Sequence, residues 1–97
     1  MPQRLVVPLE ALPGKRYELI HRFQALCSEV RQEPGNEEYE VYQSVEHPGR
    51  VVLLELWSDE AALEAHLEVN RRRTAGPDLD SLRRRRRPTE RYTASAT

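Results

Sequence analysis

Cysteine is almost absent from this 97-residue sequence, which contains only Cys27. A single thiol cannot form an internal disulfide or a cysteine-based metal site, so we expect Cys27 to be buried and inert. Long apolar runs are also missing. No stretch approaches the roughly 18 residues of a membrane-spanning helix, and the first residues lack the apolar segment of a secretory signal. These absences predict a cytoplasmic protein that does not bind a membrane.

Other absences argue against metal sites and cofactor-binding sites. The three histidines, His21, His47 and His66, have no paired spacing that would indicate a metal site. The sequence contains no glycine-rich phosphate loop, nucleophile elbow or dinucleotide fingerprint. We therefore expect no metal and no cofactor. The length fits one domain, residues 1–97, whose small core would gain from association with a second copy.

Charge is distributed unevenly along the chain. Residues 1–70 contain six basic and 13 acidic residues, whereas residues 71–97 contain nine arginines and three acids. The runs Arg71–Arg73 and Arg83–Arg87 can in principle bind the phosphates of a nucleic acid. Tyr92 is the only aromatic residue near them, so a stacking platform is missing. We favour pairing of these arginines with acidic groups of the same chain or of a second copy over nucleic-acid binding.

Three segments have the pattern of β-strands. Residues 3–9 are apolar and β-branched, and Pro8 indicates that this strand lies at the edge of a sheet or finishes near Pro8. Residues 38–45 alternate between apolar and polar, and residues 51–57 are apolar almost throughout. The short turn at 47–50 joins the last two into an antiparallel hairpin, which we expect at the centre of the sheet.

Helical spacing of apolar residues predicts helices over 15–32 and 59–73, the first with Tyr17 on its apolar side and the second capped by Ser58. A short turn capped by Asp78 and a final strand over 89–95 complete the chain. The resulting order is βαββαβ, an α+β fold of the ferredoxin-like type, in which the basic segment 71–97 completes the domain.

Several segments in the middle of the chain occur in a recognisable order. They are Pro13-Gly14, Arg31–Asn36 with its Glu-Pro-Gly turn, Tyr39 with Gln43-Ser44, Glu55–Ala61, and Ala65-His66. Over about residues 4–73 the sequence resembles the antibiotic biosynthesis monooxygenase domain. The resemblance implies an antiparallel sheet that pairs with that of a second copy into a dimeric α/β barrel. It also implies a pocket between each sheet and its own helices.

The predicted site centres on Trp57 and His66. Glu55 and Trp57 share one face of their strand, and His66 lies on the helix face that looks back at the sheet. His66 is suited to act as a base or hydrogen-bond partner, and Trp57 to stack on an aromatic ring. From spacing alone, Trp57 can equally be a core anchor and His66 a packing residue.

Three further residues are candidates for polar contacts with a substrate. Glu55 can orient His66 or bind a substrate hydroxyl, or it can pair with an arginine. Tyr42 offers a ring and a hydroxyl, or simply packs. Asn70 follows His66 on the same helix face, or is a surface amide.

Members of the family include cofactor-independent oxygenases of polyphenols and quinols, haem-degrading enzymes and isomerases of small signalling molecules. Haem-degrading members have an asparagine on the first strand, and quinol-oxidising members have one on the tryptophan strand. Residues 4–9 and 51–57 contain no asparagine, so the reaction of neither group can be carried over to this chain. We predict a cofactor-independent monooxygenase for a small aromatic or quinol-type substrate; the alternative is a non-catalytic ligand-binding or interaction module on the same fold.

Overall fold

The computed structural model describes residues 1–73 and 79–94. Within them the order is β1 (Gln3–Ala11), α1 (Arg16–Val30), β2 (Asn36–Gln43), β3 (Arg50–Trp57), α2 (Glu60–Arg72), β4 (Arg83–Arg85) and β5 (Glu90–Thr93). This confirms the α+β, ferredoxin-like prediction, with the last strand in two pieces. Among the described residues, no helix is long and apolar enough to cross a bilayer.

The described strands form one antiparallel sheet in the order β2-β3-β1-β4, and β5 also pairs with β1. The predicted hairpin is confirmed as the pair β2 and β3. Its expected position at the centre of the sheet is wrong, because β2 is the edge strand. The expectation that β1 lies at an edge or finishes near Pro8 is also wrong. β3 pairs with one side of β1, β4 and β5 pair with the other, and the strand continues to Ala11.

A proline fits inside β1 because the strand opposite it is interrupted. β4 pairs with residues 9–11 of β1 and β5 pairs with residues 3–6, which leaves Pro8 beside the gap between them. The Pro8 carbonyl oxygen accepts a hydrogen bond of 3.0 Å from the Arg86 amide on this side. The missing N–H of Pro8 therefore costs no ladder bond. Asp78 and Ser95, the expected cap and last strand residue, lie outside the described residues.

The two helices cover one face of the sheet, which we call the inner face; the opposite side is the outer face. Alternate residues of β1 and β3 point to the inner face and are buried, together with one side of α1: Leu5, Val7, Leu9, Val51, Leu53, Glu55, Trp57, Leu19, Phe23, Cys27 and Val30. Tyr17, predicted for the apolar side of α1, is instead 74% exposed. The burial of Cys27 is confirmed.

α2 begins directly after β3 and returns over the inner face. Its N-cap is Asp59 and not the expected Ser58, since the Asp59 side chain accepts a hydrogen bond of 2.8 Å from the Ala62 amide. Leu63 and His66 are the buried residues of this helix. The sharp turn at Ser58 therefore places His66 against the end of β3.

Candidate functional site

The site is built on the last residues of β3. Glu55 and Trp57 are two residues apart on the inner face, where both are buried. The Trp57 indole N–H donates a hydrogen bond of 3.1 Å to Glu55 Oε1. A charged or polar group in a central strand needs such a partner, since an unpaired one would lose its hydration without replacement. Trp57 thus fixes the position of the Glu55 carboxyl.

His66 packs directly on this pair. Its ring stacks on the Trp57 indole with centroids 4.4 Å apart and planes inclined by 27°, and it meets the Tyr39 ring edge-on at 5.7 Å. His66 Nε2 is 3.7 Å from Glu55 Oε1. This nitrogen is buried and has no hydrogen-bond partner within the described part of the chain. The imidazole is therefore held by ring contacts with one nitrogen aimed at Glu55.

The other imidazole nitrogen is held by Glu33. His66 Nδ1 lies 2.8 Å from Glu33 Oε1, and Glu33 Oε2 accepts a hydrogen bond of 3.1 Å from Arg73. An ionised carboxylate can only accept, so Nδ1–H is the donor to Glu33, and the ring then turns Nε2 toward Glu55. The structure thus contains a series of groups, Glu33, His66 and Glu55, of which His66 and Glu55 are buried and Glu33 is partly buried; we call it the buried series.

Glu33 reaches His66 through the turn that ends α1. Gly35 in this turn has φ +80°, and a Cβ there would lie 2.5 Å from Ala62 Cβ and 2.8 Å from Ser58 Oγ. The Gly35 carbonyl also accepts a hydrogen bond of 2.8 Å from the Ser58 amide. Only glycine allows this backbone so close to the start of α2. The Glu-Pro-Gly turn therefore has a structural reason, which is to bring Glu33 to His66.

Burial dominates the electrostatics of the site. It raises the pKa of the Glu55 carboxyl, and the hydrogen bond from Trp57 and the nearby His66 counteract it only in part. Burial also raises the pKa of the Tyr39 hydroxyl, and the charge of Glu55 raises it further. Glu55 is therefore a stronger base than an exposed glutamate, and Tyr39 stays protonated.

A cavity of about 890 Å³ opens beside these residues, between the inner face, α1 and the end of α2. Tyr39, Glu55 and Asn70 line it, whereas Trp57 and His66 are not among the described lining residues. Its volume is in the range of small-molecule sites. Glu55 is thus the member of the buried series that lines the cavity, and Trp57 and His66 contact it on the side away from the cavity.

The structure brings together four of the five predicted residues. Trp57 and His66 are in contact, Glu55 joins them, and Asn70 lies on the cavity wall with its side-chain oxygen bound to Arg73 at 2.8 Å. Tyr42 is not among them: it lies on the outer face, 46% exposed, and its hydroxyl contacts two outer-face carboxylates.

Sequence reasoning missed Glu33 and Tyr39. Both stand in segments that carried the family resemblance, the Glu-Pro-Gly turn and the start of the hairpin, but spacing gave no reason to join them to His66. Tyr39 pairs with Glu55 across β2 and β3. Within residues 1–73 and 79–94, no group of histidine, cysteine and carboxylate side chains is arranged to hold a metal ion.

Comparison with known proteins adds independent information. The sequence model of the family described as antibiotic biosynthesis monooxygenase matches residues 2–75. A relative from Bacillus subtilis, named as a candidate monooxygenase, YcnE, is 37% identical over 61 residues. That alignment covers 63% of this chain, and it spans 64% of the length of the relative.

Solved structures have the same fold. A conserved protein from Methanosarcina mazei superposes with a TM-score of 0.78 at 28% identity, covering 95% of this chain and 89% of that one. A candidate antibiotic biosynthesis monooxygenase from Chloroflexus aurantiacus has a TM-score of 0.80 at 20% identity, covering 100% and 96%. At that lower identity the likeness concerns the fold alone.

Proposed function

Because the chain belongs to the antibiotic biosynthesis monooxygenase family, we propose that it is a cofactor-independent monooxygenase that oxidises a small aromatic, quinol-type substrate in the inner-face cavity. One observation carries the proposal. A buried carboxylate, Glu55, lines a cavity of suitable size, and 3.7 Å from it lies His66 Nε2, a buried nitrogen for which residues 1–73 and 79–94 provide no hydrogen-bond partner. This arrangement is suited to removing a proton from a bound hydroxyl group.

The substrate supplies the electrons in this reaction. A deprotonated quinol is electron-rich enough to reduce O₂ directly, first forming a ring radical and superoxide, which combine into a peroxide with a new carbon–oxygen bond. Breakage of the O–O bond leaves one oxygen atom on the ring, and the other leaves as water. Quinol and O₂ thus give a hydroxyquinone and water. The protein contributes proton removal, orientation and exclusion of bulk water.

The proton path begins at Glu55. Ionised Glu55 accepts the proton of the substrate hydroxyl, and its raised pKa makes this transfer more favourable than to an ordinary glutamate. The proton can pass from Glu55 to His66 Nε2, because Glu33 at Nδ1 stabilises the imidazolium that forms. His66 therefore acts through Glu55, one step further from the substrate than the sequence analysis expects.

The ring of the substrate needs an apolar surface as well. Tyr39, Leu53 and Leu67 line the same cavity beside Glu55. An aromatic ring there would pack against Tyr39 while its hydroxyl meets the carboxyl. Trp57 lies behind this wall, so its role in the proposal is to hold Glu55 and His66 in place.

We also propose that two copies pair through the outer face. This face carries half-buried apolar side chains on the two central strands, Val6, Val52, Leu54 and Leu56, surrounded by ion pairs such as Arg84 with Glu10 at 2.6 Å. A sheet face of this composition, uncovered by the described helices, favours association, and a stable dimer would bury about 2,000 Å² or more in total.

Oxygen uptake tests the catalytic proposal. With naphthalene-1,4-diol as substrate, and with spontaneous oxidation subtracted, we expect enzyme-dependent uptake of O₂. Glu55→Gln and His66→Ala should each lower kcat about 10²-fold or more. Glu64→Gln is the matched control, since Glu64 is an exposed residue of α2 that pairs with Arg91 at 3.5 Å, and its activity should equal that of the wild type.

Two results would contradict the proposal. Full activity of Glu55→Gln would contradict the proposed proton transfer to Glu55. Binding of naphthalene-1,4-diol without any enzyme-dependent uptake of O₂ would instead support a non-catalytic ligand-binding module on the same fold.

A further inference from the structure

The arginine run of β4 meets the same cavity as Glu55. Alternation along the strand places Arg83 and Arg85 on the inner face and Arg84 on the outer face. Arg83 and Arg85 both line the cavity, together with Tyr39 and Glu55. The arginine run is thus divided between the two faces of the strand, and only Arg83 and Arg85 lie on the side of the cavity.

Arg83 has weak charge compensation for a group so little exposed. Its side chain is 21% exposed and its guanidinium lies over the Phe23 ring, 5.3 Å from the centroid. Its acidic contact in the described part of the chain is Asp80, whose side chain is 79% exposed and 3.6 Å away. This burial removes solvent from the cation and so lowers the pKa of Arg83. An exposed acid at this distance offsets little of that cost.

Arg85 extends the positive end of the cavity. Its described side-chain hydrogen bond is to the neutral hydroxyl of Thr89, which also lines the cavity. Each of the other arginines that line the cavity contacts a carboxylate: Arg73 contacts Glu33 at 3.1 Å, and Arg22 contacts Glu18 at 3.8 Å. Within the described residues, the acids at this end of the cavity are Glu18 and Asp80, both well exposed, so the positive charge of Arg83 and Arg85 is only weakly compensated there.

The cavity consequently has two chemically different ends. Glu55 is the cross-strand neighbour of Leu5 on β1, and Arg85 is the neighbour of Leu9. Four residues of a strand span about 13 Å. Side chains from both ends shorten this span, which leaves a length suited to two fused aromatic rings. The charge of Arg83 also acts on the Tyr39 hydroxyl, so the two ends belong to one electrostatic environment.

We propose that the substrate is an aromatic acid, with a carboxylate bound by Arg83 and Arg85 and a ring hydroxyl directed at Glu55. The proposal rests on the proposed function of the cavity. Guanidinium groups bind carboxylates through paired, charge-assisted hydrogen bonds, which suits a partly buried cation whose described acidic contact, Asp80, is exposed. Binding at the arginine end would hold the hydroxyl at the base and so orient the ring for reaction.

Calorimetric titration with a matched pair of probes tests this. 6-Hydroxy-2-naphthoate carries the carboxylate, and 6-hydroxy-2-naphthamide replaces it with an uncharged group of the same shape. We expect the acid to bind to the wild-type protein about tenfold or more tighter than the amide, which is the usual range for a charged hydrogen bond. This comparison needs no variant, so it does not depend on the folding of any mutant.

Variants then locate the effect. Arg83→Gln and Arg85→Gln should each weaken binding of the acid about tenfold and leave binding of the amide unchanged. Arg84→Gln is the matched control on the same strand, and both probes should bind to it as to the wild type. Thermal unfolding of each variant verifies that it is folded.

The outcomes separate the two proposals. Equal affinity for acid and amide would overturn the anionic substrate class while leaving the cavity and the proposed function in place. A loss of acid binding in Arg84→Gln equal to that in Arg83→Gln would show a non-specific effect of charge, and would also overturn it. If neither probe binds to the wild-type protein, the aromatic site of the proposed function fails with it.

Discussion

Removal of the Glu33 carboxylate is the most direct test of the buried series. Glu33→Ala leaves the His66 Nδ1–H without an acceptor in a side chain that is 1% exposed, and it removes one acid from Arg73. A buried donor left unsatisfied costs about 1–3 kcal/mol, and the weakened contact of Arg73 adds to this. We expect the free energy of unfolding to fall by about 2–4 kcal/mol.

A conservative variant separates the charge from the hydrogen bond. Glu33→Gln keeps a carbonyl oxygen that can accept from His66 Nδ1, so only the difference between a charged and a neutral hydrogen bond is lost. That difference is about 1 kcal/mol. Glu33→Gln should therefore be clearly more stable than Glu33→Ala.

Urea unfolding followed by tryptophan fluorescence measures both effects. Trp57 is the only tryptophan of the chain, and its ring stacks on His66 at 4.4 Å. With a urea dependence of about 1–2 kcal/mol per molar, the midpoint for Glu33→Ala should fall by about 2 M. Every variant must be measured at one protomer concentration, because association would also stabilise the folded state.

Glu29→Ala provides the control. Glu29 contacts the same Arg73 at 3.7 Å but is 68% exposed, so its removal should change stability by no more than about 0.5 kcal/mol. A double-mutant cycle of Glu33→Ala with His66→Ala should give a coupling energy of about 1–2 kcal/mol. If Glu33→Ala is as stable as Glu29→Ala, or if the coupling is zero, the reasoning about this buried contact is wrong.

Three further predictions concern pH, the turn and the outer face. Burial raises the pKa of Glu55 above its ordinary value of 4.5. Protonated Glu55 therefore contributes its full stabilisation of the folded state below that pH, and this stabilisation is lost as the pH rises through the pKa of the folded protein. Thermal unfolding should therefore show Glu55→Gln gaining stability relative to the wild type as the pH rises above about 4.5, and a difference that does not change with pH would contradict this. In urea unfolding, Gly35→Ala should lower the free energy of unfolding by about 2 kcal/mol or more, because its Cβ would lie 2.5 Å from Ala62 Cβ. The control Gly14→Ala, at φ +78° with no atom close to its Cβ, should lower it by only about 1 kcal/mol. Equal losses would show that close packing at Gly35 is unimportant. Leu54→Glu should reduce the mass measured by light scattering from that of a dimer to that of a monomer, because it places a charge in the proposed interface; a wild-type monomer at micromolar concentration would refute the pairing itself.

The arginine runs show that a charge pattern in the sequence does not reveal which of its residues face the cavity. The sequence analysis favours pairing with acids of the chain, and the structure contains such pairs, including Arg84 with Glu10 and Arg71 with Glu68, each at 2.6 Å. Yet Arg83 and Arg85 differ from Arg84 only in the side of the strand that they occupy. Which side faces the cavity depends on how β4 pairs with β1, and that pairing joins residues more than 70 positions apart.

Local sequence determined the elements and much of the site. Alternation in β3 placed Glu55 and Trp57 on one face, and helical spacing placed His66 on the inward side of α2, because side-chain direction follows from backbone periodicity within a few residues. The order of the elements then followed from turn residues. These properties involve short stretches of chain, so the sequence alone could predict them.

Tertiary structure decided the rest. The central position of β1, the split of the last strand around Pro8, and the contact of Glu33 with His66 all join segments that are distant along the chain. Periodicity gives each segment two faces, but it does not state which neighbour covers them. That choice is made by the packing of the whole domain, because the native fold is the arrangement in which contacts between distant segments support one another. Glu55 meets the cavity and His66 stands behind it for this reason, which no local pattern contained.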